Sequence, residues 1–261
     1  MKPTDSLHQL EEERAVPWRD PGLYAGHRAR YGFAAPAAAG RRVLDVGCGE
    51  GYGAAELAGR ASAVVAVDYS PAAIAHAREK YQVPNLTFEV MDALELENGR
   101  FTEFDLVTCF EVIEHIEDGR RLMAGLARAV RPGGRLYLST PNRLVDRLFE
   151  TVGGHDTTVY HINLMTPRAL RALARRHFDS VALYGQSVRG NRLHACMKAM
   201  DVANLRHRFV RSARLQRKIV TGLMNQPAHA SEADFRFSRL LVRQAPQTVL
   251  VASLSARSQA R

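Results

Sequence analysis

The stretch Val43-Leu-Asp-Val-Gly-Cys-Gly-Glu-Gly-Tyr-Gly53 decides the fold. A short apolar run passes into glycines at 47, 49 and 51, and the next apolar run, Ala63 to Val67, leads directly into Asp68. Glycines let a backbone approach a ligand closely, and a carboxylate one strand over can accept hydrogen bonds from a ribose diol. The spacing selects among cofactors. A dinucleotide fingerprint, GxGxxG, needs its third glycine at position 52, where this chain has Tyr52, and the pattern is GxGxG instead. No GxxxxGK(S/T) phosphate loop occurs either. A nucleoside-like cofactor without phosphates fits this turn best. The competing reading of the glycines is a tight strand-to-helix turn with no ligand.

Outward from this turn the pattern is an alternation of strands and helices. Val43 to Val46 is the first strand, Gly53 to Arg60 a helix, Ala63 to Val67 the second strand, and Pro71 to Tyr81 a helix with Ser70 as N-cap and Pro71 at its first position. Leu86 to Val90 and Asp105 to Cys109 are strands, Gly119 to Val130 an amphipathic helix, and Arg135 to Ser139 a strand entered through Pro132-Gly133-Gly134. Thr166-Pro167 caps a helix running to Arg176, and strands follow at Ser180 to Tyr184 and Thr248 to Leu254. Two helices, Leu7 to Ala15 and Pro21 to Ala38, precede the first strand. The alternation predicts an α/β fold: a Rossmann-like, seven-stranded, mostly parallel sheet with helices on both faces. The expected division is an N-terminal helical cap (1–40), a cofactor-binding core (41–186), a basic helical lid inserted before the last strand (187–247), and the last strand with its tail (248–261).

Composition bounds the function. The 261 residues, 46% of them apolar, suit one α/β domain with a full core. No apolar run approaches the roughly 18 residues of a membrane span, and Met1 to Glu13 is polar and acidic, so the expectation is a cytoplasmic protein without a stable membrane anchor. Three widely spaced cysteines, Cys48, Cys109 and Cys196, argue against a disulfide framework and a cysteine zinc site. The net charge of +9 is concentrated between Ser187 and Lys218, where nine Lys or Arg face a single acid, Asp201.

The ordered set of segments from Arg41 to Gln186 resembles the class I S-adenosylmethionine-dependent methyltransferases. The resemblance implies that Asp45, Gly47 and Gly49 line the methionine part of S-adenosyl-L-methionine, that Asp68 binds the ribose hydroxyls and that Tyr69 lies against the adenine. It further implies that Asp92, with Ala93 beside it, meets the adenine amino group and that Phe110 touches the cofactor. In the cap, His27, Arg30 and Tyr31 stand where relatives close over the cofactor, and Arg30 is placed to pair with the methionine carboxylate, or else to lie on a helix surface.

The run Phe104 to His115 is the fourth strand and the loop beyond its carboxyl end, where open α/β sheets bind ligands. Its Glu111-Val-Ile-Glu114-His115 segment gathers two carboxylates and an imidazole, and His161, in the loop after the fifth strand, is expected over the same end of the sheet. Oxygen-rich sets with imidazole suit Mg²⁺ or Mn²⁺. The segment is similar to that of the ubiquinone-pathway O-methyltransferases and of the 2′-O-methyltransferases of small-RNA 3′ ends. In the RNA group a later His precedes a Thr by five positions, as His161 precedes Thr166. Both groups methylate one oxygen of an adjacent pair. A chelated cation would lower the acceptor hydroxyl's pKa and align it with the methyl group. Without metal, Glu114 helps order the loop while His115 or His161 serves as general base or as a structural cap. His155 and Asp156, beside Gly153-Gly154, read as a turn.

The basic insertion reads as a polyanion site, with Arg192, Lys198, Arg206, Arg208, Arg211 and Arg214 on phosphates, as a site for a negatively charged small substrate, as a membrane-associated lid without a strong amphipathic anchor, or as a solvated helical face. Phe209 is the single aromatic residue between Gln186 and Asp234, which disfavours stacking on unpaired bases. The sequence therefore points to O-methylation of a small-molecule hydroxyl in a catechol, sugar or other vicinal diol. The alternatives are N-methylation, RNA 2′-O-methylation, and a cofactor-binding RNA-associated regulator that does no chemistry.

Overall fold

The computed structural model describes residues 21–145, 161–188, 231–240, 242–243 and 245–256. Helix α1 (Pro21–Ala38) is followed by β1 (Arg42–Val46), α2 (Tyr52–Ala58), β2 (Ala63–Asp68), α3 (Pro71–Lys80), β3 (Leu86–Val90) and β4 (Phe104–Phe110). Then come α4 (Gly119–Ala129), β5 (Val130–Pro141), α5 (Pro167–Ala174), β6 (Ser180–Val188), β7 (Phe235–Ser238) and β8 (Gln247–Ser253). The strands form one sheet in the order β3-β2-β1-β4-β5-β8-β6-β7. Strands β1 to β5 pair in parallel, and β8 runs antiparallel to both β5 and β6. The order reverses between β1 and β4, which opens a crevice at the carboxyl ends of those two strands.

Side chains alternate across the sheet and give it two apolar faces. Val43, Val64, Ala66, Leu86, Phe88 and Leu106 pack under α1, α2 and α3, while Leu44, Val46, Val107, Cys109, Leu136 and Leu138 pack under α4 and α5. Because both faces are covered, the central strands are apolar at nearly every position rather than at every second one. Ser70 accepts a hydrogen bond from the Ala73 amide and Thr166 from that of Ala169, so both expected N-caps form, each followed by its proline. Helix α1 ends at Ala38 as expected.

The sheet has eight strands among the described residues, not seven. The added one, β7, pairs antiparallel with Gly185 to Val188 of β6 at the sheet edge. Its sequence, Phe-Arg-Phe-Ser, buries Phe235 and exposes Arg236, the period of a half-buried strand, but four residues are too few to mark it within a basic span. The expected helical lid is thus in part a strand. Residues 189–230, with Arg192, Lys198, Arg206, Arg208, Arg211 and Arg214, lie outside the described residues. So do the expected helix from Leu7 to Ala15, and His155 with Asp156. Among the described residues no helix is long and apolar enough to cross a membrane.

Candidate active site

The glycine turn after β1 takes a left-handed path, with φ of 73° at Gly47, 53° at Gly49 and 82° at Gly51. At Gly47 a side chain is also excluded by contact, since a Cβ there would stand 2.3 Å from a methyl carbon of Val112. The turn after β1 and the turn after β4 therefore touch across the switch point. At Gly49 nothing lies within 4 Å of where a Cβ would be, and the backbone faces open space.

Asp68, at the end of β2, accepts hydrogen bonds from the Gly49 amide at 2.8 Å and the Ser70 amide at 3.0 Å. It thereby joins the glycine turn to the start of α3. Tyr69 stands beside it with 45% of its surface exposed. Past β3, Asp92 accepts from the Leu94 amide and caps a short 3-10 turn from Ala93 to Asn98. Gly49, Asp68, Tyr69, Asp92 and Ala93 thus stand at the carboxyl ends of three adjacent strands.

Asp45 occupies a different setting. Its carboxyl is fully buried, accepting from the Thr108 hydroxyl at 2.7 Å and from the Tyr31 hydroxyl at 3.1 Å. Burial raises its pKa to about 7, opposed by those two hydrogen bonds and reinforced by the charge of Asp68. Tyr31 reaches it from α1 by passing over Gly53, where a Cβ would lie 2.0 Å from the phenol ring, and it meets Phe110 edge-on at 5.0 Å. Sequence reasoning missed this Tyr31–Asp45–Thr108 cluster, because nothing in the spacing of three residues on separate elements marks their meeting.

Arg30, one residue earlier on α1, is 2% exposed. Its Nη1 donates to Gln186 Oε1 at 2.7 Å, and Gln186 Nε2 donates to the Gly26 carbonyl at 2.7 Å. Its Nε and Nη2 make no hydrogen bond, and Nη2 lies 4.0 Å from Glu111 Oε1. Gln186 was invisible to sequence reasoning because a lone glutamine at a strand end carries no signal.

Beyond β4 the chain turns sharply. Glu111 adopts φ of 55°, its amide donates to the Ser139 carbonyl, and its carboxylate accepts from the Ser139 hydroxyl at 2.6 Å. Ile113 to His115 then form a single 3-10 turn. Asn163 binds this turn from the loop after β5: its amide donates to the Glu114 carbonyl at 2.9 Å and its side chain to the Ile116 carbonyl at 3.0 Å. Gly119 leaves room for it, since a Cβ there would be 2.5 Å from Asn163 Nδ2. This clasp carries His161 onto the turn. One ligand atom each from Glu114, His115 and His161 lies within 4.8 Å of the others, and the two imidazole rings stand 5.1 Å apart, edge to face. Glu111 is not among these three; its carboxylate is held by the Ser139 hydroxyl and lies 4.0 Å from Arg30 Nη2.

Glu114 is fully buried, and both of its oxygens lie too far or too obliquely for a full hydrogen bond. Burial holds its carboxyl well above the usual range and the charge of Glu111 adds to this, against weaker opposition from its own amide, Thr140 and Arg30. A buried carboxyl without a full hydrogen bond, within 4.8 Å of two imidazole nitrogens, is a donor set that could hold a divalent cation, which would draw off the carboxyl's proton.

An open, mostly parallel sheet with a glycine turn and an acidic strand end beside its switch point is the architecture of the class I S-adenosylmethionine-dependent methyltransferases. Residues 15–177 match the model of a methyltransferase domain, and the chain belongs to that family. It is 39% identical over 137 residues to a probable S-adenosylmethionine-dependent methyltransferase of Mycobacterium tuberculosis, covering 52% of this chain and 49% of that protein. It is 37% identical over 108 residues to a ubiquinone biosynthesis O-methyltransferase of Acinetobacter baylyi, covering 40% and 45%. The chain spans about half the length of the curated relatives it matches. Among solved structures, the complex of a Haloferax volcanii putative methyltransferase with its Trm112 activator matches with a TM-score of 0.59 at 17% identity, over 92% of this chain and 96% of that one. Magnesium protoporphyrin IX methyltransferase from Synechocystis with bound SAH matches with a TM-score of 0.52 at 21% identity, over 64% and 76%. At these identities the two structures support the fold alone.

Proposed function

We propose that the protein transfers the methyl group of S-adenosylmethionine to one hydroxyl of a small molecule bearing two adjacent oxygens, a catechol or a vicinal diol, with a divalent cation held by Glu114, His115 and His161. The observation that carries this reading is the convergence of these three side chains within 4.8 Å at the end of the strand next to the glycine turn. The likeness to ubiquinone biosynthesis O-methyltransferases supports the choice of oxygen over nitrogen.

Gly47 and Gly49 would admit the cofactor's methionine part along bare backbone, Asp68 would receive the ribose hydroxyls, and Tyr69, Asp92 and Ala93 would border the adenine. Arg30 would meet the cofactor's carboxylate. Phe110, buried at the end of β4 and packed on Tyr31, would back the cofactor from below. S-adenosylmethionine supplies a methyl group on a sulfonium, already a good leaving group, so the protein's share is alignment and proton removal. A bound cation would supply an acidified, chelated acceptor oxygen. With the cation bound, both imidazoles are spent as ligands and the acidified hydroxyl gives its proton to solvent; only without a cation would His115 or His161 be free to act as general base.

The test is turnover by chelator-stripped protein on catechols and vicinal diols beside mono-ols and amines, with and without Mn²⁺. Methylation of the diols, lost on stripping and restored by Mn²⁺, is expected, with Glu114→Gln slowing it at least about a hundredfold. Metal-independent methylation of an amine or a mono-ol would overturn the reading.

A further inference from the structure

The expected fourth ligand, Glu111, stands apart from the trio because two other groups hold it. The Ser139 hydroxyl donates to Glu111 Oε1 at 2.6 Å, and Arg30 Nη2 lies 4.0 Å from the same oxygen. Arg30 cannot swing freely, since Gln186 fixes its Nη1, and its remaining nitrogens lack hydrogen bonds in a nearly dry setting. A buried guanidinium with unsatisfied donors is completed by a carboxylate in close, two-pronged contact, which Glu111 at 4.0 Å does not provide. Glu111 is also near enough to Glu114 for its charge to be felt there. One carboxylate is thus poised between the proposed cation site on one side and a guanidinium on the other.

We propose that Arg30 and Glu111 form an exchange switch coupling cofactor to metal: a carboxylate arriving with the cofactor takes Arg30, and Glu111, released, turns to complete the cation site of Glu114, His115 and His161. This rests on the proposed cation site and on Arg30 as the cofactor's carboxylate partner, and it adds an order to them. Neither ligand need touch the other. Each changes the position of the same side chain, and the coupling is reciprocal by thermodynamic linkage.

The test is calorimetric titration of the chelator-stripped full chain with Mn²⁺, alone, with S-adenosylhomocysteine, and with methylthioadenosine, which keeps the nucleoside but lacks the carboxylate. S-adenosylhomocysteine should tighten Mn²⁺ binding about tenfold, within the usual range of such couplings, and methylthioadenosine should not. Mn²⁺ should tighten S-adenosylhomocysteine by the same factor. Glu111→Gln should bind S-adenosylhomocysteine more tightly than wild type without metal, because Arg30 is no longer shared, and should show no coupling. Ser139→Ala, which frees Glu111 without touching either ligand's contacts, should raise Mn²⁺ affinity in the absence of cofactor. Measurable Mn²⁺ binding that is indifferent to S-adenosylhomocysteine would overturn the switch and leave the cation site standing. Equal enhancement by methylthioadenosine would overturn the carboxylate exchange. No Mn²⁺ binding in any arm would overturn the cation site and the switch with it.

Discussion

Asp45 shows how one buried group sets a measurable property. Its carboxyl titrates at about 7 in the fold against the usual value of 3.8, so the folded protein favours the neutral form. Below the unfolded pKa both states are protonated and the stability associated with this group is fully present. As pH rises from about 4 toward 7 the unfolded chain releases the proton while the folded one keeps it, and stability falls by up to about 4 kcal/mol. Thermal melts across this range should show that slope in wild type and a clearly shallower one in Asp45→Asn. The residue scale is also where sequence reading was weakest. The family resemblance implies a cofactor-lining role for Asp45; what it does not carry is that the carboxyl is also bound by Tyr31 and Thr108, on elements distant in sequence. Glu111 reads as one of four metal ligands from its spacing; in this structure its left-handed backbone and the Ser139 hydroxyl hold the carboxylate beside Arg30, a turn no spacing rule foretells for a non-glycine residue.

Two elements carry the site. Helix α1 is held over the glycine turn by Tyr31 seated against Gly53, by Arg30 on Gln186, and by Arg28, which pairs with Glu56 of α2 at 3.4 Å and with Glu232 at 2.7 Å. Gly53→Ala puts a methyl into the Tyr31 ring and should cost about 1–3 kcal/mol, read from denaturant unfolding, with weaker S-adenosylhomocysteine binding because α1 is displaced. The loop after β5 is the second element, clasped to the Ile113–His115 turn by Asn163. Asn163→Ala should weaken Mn²⁺ binding about 10- to 100-fold while leaving S-adenosylhomocysteine affinity near wild type, since it frees His161 without touching the glycine turn. Strands β1 to β6 and β8 and helices α1 to α5 were legible in the sequence, because their periodicity and caps are local. The 3-10 turn after Asp92 and strand β7 were not, being too short to show a period, and the meeting of β6 with α1 through Gln186 depends on residues 156 positions apart.

For the molecule as a whole, the sheet places the turns proposed to hold the cofactor, after β1, β2 and β3, on one side of the crevice and the acid and imidazole cluster, after β4 and β5, on the other. The contact of Gly47 with Val112 joins them, so the cofactor end and the acceptor end should respond together. S-adenosylhomocysteine at about a hundred times its Kd should stabilise the fold by about 2.7 kcal/mol and raise Tm by roughly 5–10 °C. NAD at the same concentration should leave Tm unchanged, as Tyr52 in place of a third glycine requires. The most direct measurement is anomalous-difference density from crystals grown with Mn²⁺ and S-adenosylhomocysteine. The account predicts a single manganese peak at coordinating distance from Glu114, His115 and His161, with the nucleoside lying over Gly49 and Asp68. A bound nucleoside with no manganese at those three side chains would contradict it.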